Sequence, residues 1–230
     1  MTPDIKARVL DAARATPSAT RTSSLAFSWL VLPSSVIVAV ALFFAFDGVR
    51  HGQGRPIWFY LASSIGWAAV ASLSMWGALV RGTSAIGRPR TWLLSIAIGT
   101  PAVLFAMMFG LAVVYPEVTA LHPERLGLKC LGLTVAAAAF PLLALALLRR
   151  GSDPVHPVAT GAALGAACGA SAGVMVEMWC PVAAPRHVVV GHVAPMIIMA
   201  LLGAVLGARL MAMRPRGGPR PERATATTRS

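Results

Sequence analysis

The groups in this chain able to do chemistry are three cysteines, five histidines and eight carboxylates. Thiolates exchange disulfides and bind soft metals, and imidazoles complete such metal sites. Cys168 and Cys180 stand twelve residues apart in what reads as one helix. That separates them by ~18 Å, far beyond the ~4.4–6.8 Å between Cα atoms that a disulfide requires. Cys130 with Cys180 is therefore the plausible intramolecular pair. Around Cys180 the sequence also gathers Glu177, three residues earlier and on the same helix face, and His187 and His192 beyond it. This spacing matches no closed zinc pattern. The expectation is thus no metal and no cofactor, with Cys180, His187 and His192 the nearest approach to a ligand set. His51, His122 and His156, like His187 and His192, fall at or near the ends of apolar stretches. There is no P-loop, HExxH, CxxC or GxSxG, so the chain is not expected to be an enzyme.

The elements that position these groups follow from composition. Of 230 residues 57% are hydrophobic and 12% are charged, with 20 Lys and Arg against 8 Asp and Glu, a net charge of +12. A soluble domain carries about twice that share of charge, and a nucleic-acid binder needs its cations on one polar face. Here they fall between long apolar runs. Six stretches reach the ~20 residues needed to cross a ~30 Å hydrocarbon core. They are Leu25 to Phe46, Ile57 to Val80, Trp92 to Tyr115, Leu128 to Leu148, Val158 to Trp179 and Val188 to Met211. The fold class expected is all-α: a polytopic bundle of six transmembrane helices. Residues 1–24 precede it, residues 25–211 form it, and residues 212–230 make a basic tail. The first stretch reads as a retained span, being too long for a secretory signal and lacking a small-residue cleavage site. With alternating spans, fifteen of the twenty cations fall on one side, while the acids divide four and four. Positive segments stay cytoplasmic. Both termini are accordingly expected in the cytoplasm, with Cys130 and Cys180 together on the outer face.

Gly161, Gly165, Gly169 and Gly173 recur every fourth residue in the fifth span, a smooth face for close helix approach, and Gly203 and Gly207 repeat the spacing in the sixth. Packing within the chain is the expected use. Pro33, Pro101, Pro141 and Pro195 are expected to kink their helices. Glu177, near the outer end of its span, is expected to reach back to the interface. Before the first span, Thr2 can cap a short helix that has Pro3 and Asp4 in its first turn and Ile5, Val9 and Ala12 or Ala13 on one face. Such a helix, with Leu10 beside that face, either lies on anionic lipid or docks in a groove of a cytoplasmic protein. The outward cysteine pair either ties the fourth and fifth spans together as a structural element or acts as a redox-sensitive latch. A tethered handle below and a thiol pair above is the layout of a signal transducer.

The C-terminal half carries Cys130 at the start of span four, an Arg-containing loop ending at Pro157 and a Gly/Ala-rich span five. There follow WCPVAAPRHVVVGH and a span ending LLGAVLGARL. In this it resembles the NrsF-type membrane anti-sigma factors. The resemblance implies six membrane helices after a short cytoplasmic segment, in an inner-membrane protein that holds an extracytoplasmic-function sigma factor inactive. It further implies that a periplasm-facing cysteine pair, here Cys130 and Cys180, responds to oxidative or heavy-metal stress, with Cys180 inside the Cys-Pro motif it forms with Pro181. Ile5, Val9 and Leu10 would then bind the sigma factor, and sensing would move spans four and five against each other along the glycine groove. The partners expected are that sigma factor and the bilayer, with no direct nucleic-acid contact. The sequence departs from the pattern where Val182, Ala183 and Ala184 replace acidic residues after the Cys-Pro, and where His187 and His192 replace aromatic ones. The competing classes are a small transporter or channel-like bundle, with Ser63, Ser64, Ser72 and Ser74 lining a route, and a structural assembly partner.

Overall fold

The computed structural model describes residues 21–45, 56–79, 88–119, 126–150 and 155–212, and the elements among them are all helical. The segment holding Ile5, Val9 and Leu10 and the tail from residue 213 lie outside the described residues. Helix α1 is Arg21–Ala45, α2 Ile57–Leu79 and α3 Arg90–Val114; a single turn, α4, covers Pro116–Thr119. Helix α5 is Leu128–Leu148 and α6 is Pro157–Trp179. The last, α7, runs Pro185–Met211 and contains two π-wound turns, Val189–Val193 and Gly207–Met211. Five helices, α2, α3, α5, α6 and α7, are long and apolar enough to cross a membrane, against the six spans read from the sequence. In α1 the apolar stretch among the described residues is Ser34–Ala45, too short to count as one more.

The bundle is organised around α6, whose Gly and Ala side chains take almost no space. It packs against α2, α3, α5 and α7, touches α1 lightly, and is buried over most of its surface. Large apolar residues point away from it all round: Ile65, Leu73 and Trp76 on α2, Ile98 and Val113 on α3, Leu201 and Val205 on α7. A helix set with apolar residues on its outer faces suits hydrocarbon as solvent.

The glycine row of α6 is a seam, and its main occupant is α7. A Cβ on Gly161 would strike the backbone of Gly203, one on Gly165 the backbone of Met199, and one on Gly169 would lie 3.0 Å from the Met196 Cα. Gly203 and Gly207 meet the Gly161 and Pro157 carbonyls in return. The groove expected to guide spans four and five past each other instead joins spans five and six. Gly203 and Gly207 complete it, because only a partner that also lacks side chains can come so close. Gly173 belongs to another contact, where its Cβ would lie 3.1 Å from the Trp67 indole nitrogen of α2.

Pro101 and Pro141 are buried inside α3 and α5. Pro195 follows the first π turn of α7, where the Ala194 N–H bonds to the Val189 carbonyl five residues back. Proline has no N–H to continue an α ladder, and the widened turn sits directly before it. In α2, Ser63 and Ser74 share a buried face, whereas Ser72 is exposed on the opposite one. Ser63 bonds the Tyr60 carbonyl and Ser74 bonds Thr100 at 2.7 Å. Ser63, Ser72 and Ser74 therefore line no common route.

Candidate functional site

The thiols of Cys130 and Cys180 meet at the end of the bundle where α5 begins and α6 ends. Cys180 is the last residue before Pro181, and a residue preceding proline is driven to extended backbone. Its φ of −88° and ψ of 122° end α6 at Trp179. Ala184, before Pro185, is extended in the same way, with φ −58° and ψ 135°. The stretch between these two bends returns the chain so that α7 starts beside the Cys180 thiol.

Two glycines let α5 reach the same place. Gly127 precedes α5 with φ +75°, a left-handed conformation that a Cβ disfavours. A Cβ there would also lie 2.8 Å from the His187 carbonyl and 2.9 Å from the Gly191 Cα. On Gly191 a Cβ would lie 3.1 Å from the Cys130 Cβ. The backbones of α5 and α7 thus touch just below Cys130, and its side chain is laid over the imidazoles of α7.

Those imidazoles share a side because the intervening helix is π-wound. In an α-helix residues five apart are turned by about 140° from each other. A π turn closes its hydrogen bonds at i to i+5 and stacks such residues. His187, just before Val189–Val193, and His192, within that turn, have ring centroids 5.6 Å apart. His187 Nε2 lies 3.1 Å from the Cys180 Sγ and 3.4 Å from the Cys130 Sγ. The donor atoms of Cys130, Cys180, His187 and His192 all fall within 4.8 Å of one another, and all four residues are buried. The two cysteines are not joined in a disulfide.

Behind the cluster, the Glu177 carboxylate lies 3.2 Å from His192 Nδ1, and both side chains are 0% exposed. The sequence-based expectation that Glu177 reaches the interface is therefore overturned. It sits in the last full turn of α6, where the glycine seam draws α7 close and the first π turn presents His192. His187 and His192 are likewise buried rather than solvated at a helix edge. Trp67 packs edge-on against His192 with centroids 5.8 Å apart, and Lys129 lies 5.0 Å over the Trp179 ring beside the site.

The neighbouring Cys130 thiol, hydrogen-bonded to it, holds the Cys180 thiol well below the ordinary thiol range. Burial opposes this, and the two imidazoles reinforce it. A thiol inclined to the thiolate is the form that attacks disulfides, meets oxidants and binds metals. Cys168 is apart from all this, buried within α6 among apolar neighbours.

Cys130 with Cys180, singled out by topology, do come together, and so do His187 and His192. The reading from sequence missed Glu177 as a partner of His192, and it missed Gly127 and Gly191 as the contact that seats Cys130. Isolated glycines flanking a cysteine and a histidine were the available signal.

Fold and cluster define the class: a helical bundle suited to insertion in a membrane, with a thiol and imidazole centre closed off at one end. The chain belongs to the NrsF family, whose model, described as negative regulator of sigma F, matches residues 12–212. Membership implies a sigma factor as partner. No curated protein and no solved structure matches the chain.

Proposed function

We propose that this protein is an inner-membrane anti-sigma factor whose five long apolar helices are joined by the 25-residue α1 as a sixth span. It holds an extracytoplasmic-function sigma factor inactive and releases it when oxidative or heavy-metal stress changes the state of Cys130 and Cys180. The observation that carries the reading is the convergence of both thiols on His187 Nε2, at 3.4 and 3.1 Å. Static structural cysteines need no base between them; a pair that is to react gains from one. With a peroxide as oxidant, one thiol becomes a sulfenic acid with loss of water. The second thiol then displaces hydroxide, which leaves as water with its proton, giving the disulfide. Closing the sulfurs from within 4.8 Å to the ~2.05 Å of a bond shifts α5 relative to the turn after α6. Gly127 and Gly191 are already in backbone contact, so that contact acts as the pivot.

The cation distribution supports placing both termini in the cytoplasm. The N-terminal segment carrying Ile5, Val9 and Leu10, expected from its sequence to dock on a partner, then lies on the side where a sigma factor is found. Swinging a partner from almost fully bound to almost fully free requires the two states to differ in affinity by ~10⁴-fold, so further cytoplasmic contacts join that segment. A fusion of residues 1–24 to a soluble carrier, and the full-length protein, should each capture a sigma factor from the cell's set. Capture by neither would sink the anti-sigma reading. Replacing Cys130 and Cys180 together by Ser should abolish induction of the target genes by oxidant. Unchanged induction would make the pair structural.

A further inference from the structure

We propose that Cys130, Cys180, His187 and His192 form a four-ligand site for one divalent transition-metal ion of the zinc type, with Glu177 as its outer carboxylate. The site stands on its own residues, whether or not the chain binds a sigma factor.

The donor set comes first. Two thiolates and two imidazoles are the ligands of closed tetrahedral zinc sites, with Zn–S of ~2.3 Å and Zn–N of ~2.0 Å. A tetrahedron of those bond lengths sets its donors roughly 3.3–3.8 Å apart. The contacts of 3.1 and 3.4 Å between the thiols and His187 Nε2, and the 4.8 Å limit on all the donor separations, need only small adjustments to meet it. Ring nitrogens and thiols at this spacing also crowd one another without an ion. His187 Nε2 has one proton or one lone pair to offer, yet it faces two sulfurs.

The second observation is the state of His192. Its ring is 0% exposed, its Nδ1 lies 3.2 Å from a Glu177 oxygen, and neither ring nitrogen has a hydrogen bond of good geometry among the described residues. A buried polar atom without a partner is costly, and a ligand explains it. Metal-bound histidines usually turn their other nitrogen to a carboxylate, which fixes the tautomer and the ring orientation. The Glu177–His192 pair has that arrangement. Two thiolates balance the charge of a divalent ion, which eases holding it in a closed apolar place. Sulfur and imidazole donors favour zinc-like and softer ions over calcium or magnesium, which take oxygen. All four positions come from the protein, so the site is closed, with no position left open for catalysis.

The test uses full-length reduced protein in detergent, stripped with a chelator and titrated with Co²⁺. The expected result is one ion per chain, with the strong visible absorption of tetrahedral cobalt and a near-ultraviolet thiolate band. Cys180→Ser and His192→Ala should lose both signals, and Cys168→Ala should keep them. His192→Cys should still bind, with a stronger thiolate band, which separates a lost ligand from a lost fold. Glu177→Gln should weaken binding about 10–100-fold, as for other partners of ligating histidines. Failure of the wild-type chain to bind cobalt tetrahedrally would overturn the proposal. So would a spectrum unchanged by both Cys180→Ser and His192→Ala.

Discussion

Helices α6 and α7 are joined in two different ways along their length. From Pro157 to Gly169 the contact is backbone on backbone, through Gly161, Gly165, Gly203 and Gly207. At the other end it is polar: Glu177 faces His192, and Cys180 faces His187. The seam has no group that can ionise, coordinate or exchange, and its strength comes from the absence of side chains. The polar end holds thiols, imidazoles and a carboxylate away from water, an arrangement that membrane proteins reserve for function. The contrast teaches a division of labour. The seam fixes the axis separation of the two helices, and that separation decides whether the polar groups meet.

The most disruptive way to break the comparison is therefore to act on the part without chemistry. Gly165→Leu drives a side chain into the Met199 backbone. It should cost about 3 kcal/mol or more, the upper end of overpacking, measured by reversible unfolding in detergent or bicelles. The same substitution should also part the thiols, so that oxidant no longer cross-links Cys130 to Cys180. Wild-type stability in this variant would mean that the seam is looser than its contacts indicate. A smaller effect is expected at the polar end. Glu177→Ala leaves His192 buried without its carboxylate and should destabilise by roughly 1–2 kcal/mol, the size of strong polar contacts between membrane helices. A cost equal to that of Gly165→Leu would dissolve the proposed division. The smallest effect belongs to a polar contact remote from the cluster. Ser74→Ala removes the buried bond to Thr100 and should cost about 0.6 kcal/mol, with cross-linking of the cysteines unchanged. Any effect on the thiols from that distance would show that the cluster is not locally held.

Much of this was legible in the residues. Apolar runs of the right length marked the helices, since length and hydropathy are all that spanning demands. The four-residue repeat of glycines marked a close contact. It could not name the neighbour, because Gly203 and Gly207 are as available to span five as any small-residue face, and only the tertiary arrangement selects them. Cys130 and Cys180 were brought together by topology alone. His187 and His192 were placed near them in sequence, but a spacing of five puts them on different sides of an α-helix. The π turn that unites them leaves no clear trace in composition beyond Pro195 downstream. Glu177 was misplaced for a related reason: a carboxylate close to a helix end normally reaches for water, and only the docked α7 supplies a better partner.

The π turn at Val189–Val193 has a consequence for how α7 divides its surface. A widened turn shifts the phase of a helix, so the residues before it are rotated relative to those after it. Helix α7 is in effect two helical wheels spliced end to end. One is phased to point His187 at the sulfurs; the other is phased to press Met196, Met199 and Gly203 onto α6. A single uninterrupted wheel would force a choice between these demands. The splice removes that choice, and one helix serves a chemical neighbour and a packing neighbour that lie in different directions.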